Sequence, residues 1–282
     1  MKDFLGVCRT SRLEYINEAV SLSMVDINER YFRKVLRGIV EFNMFTDDDR
    51  VLIGLSGGKD SLFLLQVMKR LEKELPFFIK LAALTVDLGF QGGSYEEETL
   101  LHLKNYCQHL DIPHYFIRTH IAEHAFKGDG RNPCATCSYF RRAVMSKFAQ
   151  EEGFNKIALG HHVDDAVETF LLNLFYNGKL KTMAPVRFMD RSSITIVRPL
   201  IYLRESEIEE TLSSMGLKPL RSPCPIAGTT KRSVIKEFLR GDEDLVSNIV
   251  GAMRTPEEPL ELWPKEPRRH QIWQLFEEFW SK

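Results

Sequence analysis

The chain has 282 residues, a formal net charge of −1, 44% hydrophobic residues and 27% charged residues, values typical of a globular protein with one large or two small domains. It has neither an apolar run near the roughly 20 residues of a membrane span nor the apolar block and cleavage site of a secretory signal, so we expect a cytoplasmic protein without membrane association. The near-zero charge argues against nucleic-acid binding by bulk charge and leaves room for a local basic surface.

Short apolar runs alternate with helical patterns along most of the chain. Nearly all-apolar runs are typical of parallel strands covered on both faces, and they predict strands at 50–55, 81–87, 115–117, 156–160 and 194–197. Helical spacing of apolar residues predicts helices over 26–45, 61–74, 95–110, 138–152 and 164–177. The alternation predicts the α/β class, with a Rossmann-like open parallel sheet and helices on both faces. Ligands of such sheets bind beyond the carboxyl ends of the strands, so the turns after Leu55, Val86 and Leu159 should surround one site.

The pattern changes after about residue 200. Helices are predicted over 204–215 and 233–240, with a proline-rich turn that holds Cys224 between them. Four prolines within 255–267 indicate an extended connector. The tail 269–280 has helical spacing and is expected to dock on its own domain or on a partner subunit.

A glycine loop, Ser56-Gly57-Gly58-Lys59-Asp60-Ser61, joins the first predicted strand to the next helix. Its glycines let backbone N–H groups turn inward, and with the helix N-terminus behind them they form a cradle for phosphate. Lys59 adds a positive charge, and Asp60 is suited to hold the magnesium ion that accompanies a nucleotide. The loop is not a Walker A motif, because Ile53 stands where that motif needs glycine and Asp60 where it needs Ser or Thr. The alternative is a capped turn without a ligand.

A second polar turn, Gly160-His161-His162-Val163-Asp164-Asp165, follows the fourth predicted strand and opens a helix. Carboxylates in a first helical turn gain a few tenths to about 1 kcal/mol from the helix dipole, which is one interpretation of both aspartates. A metal site built from the two histidines and two aspartates is another.

The five cysteines do not form the pattern of a disulfide framework. Cys134 and Cys137 form a C-x-x-C pair, which indicates a redox pair, half a zinc site or two ligands of an iron–sulfur cluster. Cys224 stands alone in a proline-pinned turn suited to presenting one thiol. Three thiolates without an obvious fourth indicate a metal centre with an open position, as catalysis requires. We interpret Cys107 as a core residue and Cys8 as incidental.

These motifs resemble a known family. The glycine loop after a buried strand resembles the signature of the N-type ATP pyrophosphatases, the PP-loop enzymes, which transfer AMP to a carbonyl-like oxygen. The C-x-x-C pair, Gly-His-His-x-Asp-Asp, Asn177-Gly178-Lys179-Leu180-Lys181, Arg198-Pro199-Leu200 and the late Cys-Pro narrow this resemblance to the TtcA-type tRNA thiolases, over about residues 25–245. Cys-Pro-Ile-Ala-Gly here holds one cysteine where well-known 2-thiocytidine enzymes carry two. Residues 1–25 contain only Cys8, whereas the related 2-thiouridine branch has an N-terminal zinc module there.

The resemblance implies the PP-loop fold, with ATP, Mg²⁺ and a 4Fe–4S cluster held by Cys134, Cys137 and Cys224, and zinc remains an alternative metal. It implies ATP-dependent 2-thiolation of a pyrimidine, expected to be a cytidine of the tRNA anticodon loop. The residues expected to bind the nucleotide are Leu55, Ser56, Gly57, Gly58, Lys59, Asp60, Ser61, Asp87, Gly160 and Asp164. The residues expected to act in catalysis are Lys59, Asp60, Arg141 and Asp165. The implied division is an N-terminal helical segment (1–45), a catalytic domain (46–245), and a proline-rich connector with a C-terminal helix (246–282).

The expected partners are the tRNA anticodon loop, a sulfur donor such as a cysteine desulfurase or free sulfide, and a second copy in a homodimer. Local basic groups are candidate RNA contacts: Arg141-Arg142 with Lys147, Lys179 with Lys181, Lys231-Arg232 with Lys236, and Arg268-Arg269. One alternative function is a different PP-loop adenylating enzyme, 2-thiouridine-forming or lysidine-synthetase-like. Another is a nucleotide-binding metal or redox sensor without turnover.

Overall fold

A six-stranded sheet forms the centre of the described molecule, with strand order β3-β2-β1-β4-β6-β5. The computed structural model describes residues 27–90, 97–127, 133–220 and 222–254. The strands are β1 (Asp49–Gly54), β2 (Ile79–Asp87), β3 (His114–Arg118), β4 (Lys156–Ala158), β5 (Val186–Met189) and β6 (Ile194–Val197). All neighbouring pairs are parallel except β5 with β6, so the predicted parallel sheet is confirmed with one antiparallel edge strand.

Nine helices flank this sheet in the part of the chain that the structure describes. They are α1 (Glu29–Glu41), α2 (Lys59–Glu74), α3 (Glu97–His109), α4 (Ile121–Lys127), α5 (Pro133–Glu151), α6 (Val163–Asn177), α7 (Glu205–Ser214), α8 (Lys231–Leu239) and α9 (Glu243–Ala252). None of these helices is long and apolar enough to cross a membrane.

Alternate residues of the central strands enter two separate cores. Val51 and Ile53 of β1 pack in the larger core, together with α1, α2, α3 and α6 to α9. Leu52, between them, packs in the smaller core with α4 and α5. This side-chain alternation of period two places helices on both faces, as predicted from the nearly all-apolar strand sequences.

Several boundaries and elements differ from the prediction. The helix expected over 138–152 begins at Pro133, so the C-x-x-C pair lies inside its first turns rather than in front of it. Proline is favoured at the first helical position because its missing N–H has no partner there in any case. Strand β5 and helices α4 and α9 were not predicted. β5 is only four residues long, and Arg187 interrupts its apolar residues, so the sequence shows no continuous apolar run there.

Other predictions are confirmed or lie outside the described residues. Cys107 is fully buried in α3, as expected of a core residue. Cys8, the connector 255–267, the tail 269–280 and the Arg268-Arg269 pair all lie outside the described residues.

Candidate functional site

A cavity of about 480 Å³ opens at the carboxyl edge of β1, β2 and β4. The strand order reverses direction between β1 and β4, and ligands of open α/β sheets bind at such a switch point. Three sequence motifs meet in its lining: the glycine loop, the Gly160–Asp165 turn and the cysteines. Of the predicted site residues, the lining includes Leu55, Ser56, Gly58, Asp60, Ser61, Asp87, Cys134, Cys137, Arg141, Gly160, Asp165 and Cys224.

The glycine loop is held open by its own hydroxyl groups. The backbone N–H of Ser56 donates to the Ser61 hydroxyl at 3.1 Å, and that hydroxyl donates to the Gly58 carbonyl at 2.9 Å. Gly57 has φ +74°, a left-handed conformation that favours glycine. At Gly58, the nearest atom to an added Cβ would be Ser56 Oγ at 3.4 Å, so space remains beside the backbone. The loop therefore has the shape of an anion cradle at the start of α2.

Lys59 lies at the edge of this loop and is not part of the cavity lining. Its ammonium group pairs with Asp60 Oδ1 at 2.9 Å and with Glu205 Oε1 at 2.6 Å. Burial acts to lower the pKa of Lys59, but the carboxylates of Asp60 and Glu205 outweigh it and raise that pKa. Lys59 is therefore a permanent cation next to the cradle, and Glu205 is a site residue that the sequence pattern did not indicate.

Gly160 brings the second turn against the first. A Cβ on Gly160 would lie 2.7 Å from the Asp60 carbonyl oxygen, so only glycine allows this approach. His162, buried beside them, has Nε2 at 3.7 Å from Asp60 Oδ1 and at 3.5 Å from Asp165 Oδ2. Burial disfavours its cationic form, but Asp164, Asp165 and Asp60 outweigh burial and raise the pKa of His162. This histidine therefore holds the three carboxylates together.

The two aspartates of this turn have different surroundings. Asp164 is outside the cavity lining; it accepts from Arg204 Nε at 2.9 Å and from the Glu205 backbone N–H at 2.8 Å. Although burial opposes ionisation, hydrogen bonds from His162 and Glu205 lower the pKa of Asp164 to about 2. Asp165 lines the cavity and accepts from Arg232 Nη1 at 3.1 Å. Asp164 therefore anchors the start of α7, while Asp165 faces the space where a ligand would lie.

Asp87 and His161 complete the polar part of the lining. Asp87, at the end of β2, is 2% exposed and pairs with Arg118 Nε at 3.2 Å. Its Oδ1 accepts from the Gly89 N–H at 2.9 Å. Burial, followed by the charge of Arg198, lowers the pKa of His161 to about 3, so this imidazole is neutral near pH 7.

The three cysteines of the sequence prediction line the same cavity as free thiols. Cys134 and Cys137 come from the first turns of α5, and Cys224 from the segment between α7 and α8. Burial raises the pKa of Cys137, and Cys224 and Cys134 raise it further, whereas Arg141 lowers it. The Cys137 thiol is thus close enough to those of Cys134 and Cys224 to interact electrostatically with both. As the described side chains are placed, however, no three His, Cys, Asp or Glu residues converge on a single metal ion.

Comparison with known proteins gives a family match and relatives over most of the chain. Residues 27–239 match the family model described as a PP-loop domain. A tRNA-cytidine(32) 2-sulfurtransferase of Geobacter metallireducens is 35% identical over 224 residues, which are 76% of this chain and 84% of that protein. The enzyme of the same name from Alcanivorax borkumensis is 36% identical over 228 residues, covering 76% and 75%.

A solved structure shows the same fold. The U34-tRNA thiolase NcsA from Methanococcus maripaludis, solved with its 4Fe–4S cluster, superposes with a TM-score of 0.65 at 24% identity. The match covers 79% of this chain and 77% of that one.

Proposed function

Because the chain belongs to the PP-loop family, with tRNA-cytidine 2-sulfurtransferases among its relatives, we propose that it is an ATP-dependent tRNA thiolase. Its substrate would be a cytidine of the anticodon loop, whose C2 oxygen is replaced by sulfur. The observation that carries this proposal is the cavity shared by the glycine loop and three cysteines. A PP-loop enzyme that only adenylates its substrate has no use for those thiols.

The cysteine site fits a cluster in donor chemistry and position. Three free thiols line one cavity, which is the donor set of iron–sulfur centres. Cysteine thiolates are the protein ligands of 4Fe–4S clusters, and zinc bound by the same thiols is the alternative that metal analysis distinguishes. Cys134, Cys137 and Cys224 would hold the cluster, and the cluster would supply an open position for the sulfur that is transferred.

The glycine loop would serve the first half of the reaction. The C2 oxygen attacks the α-phosphorus of ATP, the bond to the bridging oxygen breaks, and pyrophosphate leaves. The N–H groups of Ser56 and Ser61 bond within the loop, so the charge that develops on the phosphates would be stabilised by N–H groups of the residues between them and by the Lys59 ammonium. Asp60 supplies the carboxylate oxygen that Mg²⁺ prefers. The remaining nucleotide contacts would come from Leu55, Asp87 and Gly160, with Asp164 acting indirectly through α7.

The three cysteines would serve the second half of the reaction, in which sulfur replaces the activated oxygen. A sulfide equivalent bonds to C2, the C2–O bond breaks, and the activated oxygen leaves as part of AMP, so no change of oxidation state is needed. Arg141 and Asp165 line the cavity between the two halves. We assign Arg141 to orient the sulfur or the leaving phosphate, and Asp165 to position the activated nucleoside.

The setting of the reaction follows from this chemistry. Free thiols and iron–sulfur centres are typical of a reducing compartment, so we place the enzyme in the cytoplasm. The sulfur donor would be free sulfide, or a cysteine desulfurase whose persulfide sulfur is released as sulfide by a thiol reductant that is oxidised to a disulfide. A homodimer is the assembly we propose.

The test combines metal analysis with tRNA analysis. The protein is purified without oxygen, its iron, zinc and acid-labile sulfide are measured, and the nucleosides of tRNA from a deletion strain are analysed by mass spectrometry. We expect iron and sulfide in the wild type and their loss in Cys134→Ser, Cys137→Ser and Cys224→Ser. Cys107→Ala, a buried cysteine outside the cavity, should keep both.

The outcomes separate the alternatives. If the purified protein contains zinc and no iron, the cysteines hold zinc rather than a 4Fe–4S cluster. Iron without any loss of thiolated pyrimidine in the deletion strain would favour a sensor without turnover. Loss of 2-thiouridine rather than 2-thiocytidine would keep the reaction and change the nucleoside. If the three serine variants still thiolate tRNA at the wild-type level, the proposal is refuted.

A further inference from the structure

An arginine cluster lies beside the cavity on the face of the sheet that α5 covers. Arg187 of β5 stands opposite Ile196 of β6, and Arg198 follows that strand directly. Residues two apart on a strand share a face, so Arg187 and Arg198 are diagonal neighbours on it. Ile194, on that same face, packs in the core formed with α5, which carries Arg142.

The three guanidinium groups repel one another. Burial and then Arg187 lower the pKa of Arg142, while burial followed by Arg142 and Arg187 lowers the pKa of Arg198 to about 10. Asp165 attracts Arg198 from a distance. None of the three forms an ion pair with a carboxylate of the described residues. A protein ordinarily pairs its buried charges, so the buried Arg198, with two exposed arginines beside it, is costly without an anion.

Arg198 is the buried member of this cluster, and its positive charge is not paired with a carboxylate of the described residues. Its side chain is 5% exposed, and one nitrogen, Nη1, donates to the Ala184 carbonyl oxygen. Its Nε is buried and has no hydrogen-bond partner among the described residues. Leaving a buried charged donor unpaired costs more than leaving a neutral one, and an arriving oxyanion would relieve that cost.

The cluster also adjoins the reaction site. Arg198 acts electrostatically on His161, which lines the cavity, and Arg142 is next in sequence to Arg141, which also lines it. Because Arg142 and Arg187 are exposed, a phosphate group can approach the cluster from solvent. Arginine presents planar forked donors that match phosphate oxygens.

We propose that Arg142, Arg187 and Arg198 bind a backbone phosphate of the RNA substrate, next to the nucleotide that enters the cavity. This assignment rests on the proposed function, because it takes RNA as the source of the phosphate. Phosphate contacts fix the register of a nucleic acid on a protein without reading its sequence. The cluster would therefore position the strand while other groups select the base.

The test uses Arg142→Ala and Arg187→Ala, since both side chains are exposed, and leaves the buried Arg198 intact. Arg191→Ala is the matched control. This residue is an exposed arginine in the β5–β6 turn, and β6 starts at that turn parallel to β4, so it lies at the opposite edge of the sheet from the cavity. Binding of an unmodified tRNA transcript is measured by fluorescence anisotropy over a series of salt concentrations. Binding of ATP and of inorganic pyrophosphate is measured by calorimetry.

We expect each cluster variant to bind tRNA more weakly, with the slope of log K against log salt reduced by about 1. The Arg191→Ala variant should match the wild type, and ATP binding should be unchanged in all three. Cluster variants that bind tRNA as Arg191→Ala does would overturn the cluster assignment and leave the thiolase proposal intact. Weaker pyrophosphate binding with unchanged tRNA binding would assign the arginines to the nucleotide instead. A wild-type protein that binds no tRNA would overturn both proposals.

Discussion

The backbone N–H of Leu220 donates a hydrogen bond to the carbonyl oxygen of Gly57 at 2.9 Å. Gly57 belongs to the glycine loop, and Leu220 lies four residues before Cys224 on the segment between α7 and α8. The bond therefore ties the two halves of the proposed site together.

Gly57→Ala should damage this junction. An added Cβ would lie 2.3 Å from Leu220 Cδ1, and φ +74° costs a non-glycine residue about 1 kcal/mol or more. We expect a lower Tm and weaker ATP binding, measured by thermal unfolding and calorimetry. Gly58→Ala is the matched control, because φ is −70° there and a Cβ meets only Ser56 Oγ at 3.4 Å. It should keep its Tm and lose only ATP affinity. Equal Tm values for the two variants would contradict the steric argument.

Lys59→Met should remove activity without unfolding the protein. Loss of one group that stabilises developing phosphate charge should lower kcat roughly 100- to 1,000-fold. Glu205 would keep a partner, because its Oε1 also accepts from Lys236 Nζ at 2.6 Å. Pyrophosphate release from ATP in the presence of tRNA reports the activity, and thermal unfolding reports the fold. A variant with near-normal turnover would exclude Lys59 from the chemistry.

The fold and the motifs of the site could be predicted because each is encoded within a short stretch of sequence. β1, β2 and β4 are nearly all-apolar, and the glycine loop and the Gly160–Asp165 turn directly follow two of them. Since parallel strands end at one edge, their following turns had to meet. β5 was not predicted because it is only four residues long and Arg187 interrupts its apolar residues.

Contacts between distant parts of the chain gave no local signal. Glu205 lies far along the chain from Lys59, and Arg232 far from Asp165, yet each pair is in contact. The surroundings of these residues depend on how α7 and α8 pack beside α2 and α6, which no short motif encodes. For the same reason the sequence assigned Asp164 to nucleotide binding and Asp165 to catalysis without showing that Asp164 bonds to the start of α7.

Asp164→Asn and Asp165→Asn should therefore have different effects. Asp164 holds the start of α7 through Arg204 and the Glu205 N–H, and weakening charge-assisted hydrogen bonds costs about 1–3 kcal/mol. We expect a lower Tm in Asp164→Asn. In Asp165→Asn, Arg232 retains Glu168 Oε2 at 3.0 Å, so the fold should persist while thiolation falls. Thermal unfolding and nucleoside analysis measure both variants, and identical Tm losses would refute the division of roles.

Glu168 should make stability depend on pH. Its side chain is 4% exposed, and burial raises the pKa from 4.5 to about 7 although Arg232 opposes the change. The folded state therefore holds this proton to a higher pH than the unfolded state does. The resulting stabilisation is complete below the ordinary pKa of 4.5 and is lost as the pH rises through about 7.

Glu168→Gln should remove this dependence, because the amide does not titrate in that range. We expect the wild type to lose unfolding free energy relative to the variant, by at most about 3 kcal/mol, between about pH 5 and about pH 8. Urea unfolding of both proteins at several pH values measures the difference, and the remaining titrating groups cancel because the two chains share them. Wild-type and variant curves that stay parallel across this range would show that Arg232 keeps Glu168 ionised, and burial would then not be the dominant effect at this carboxyl.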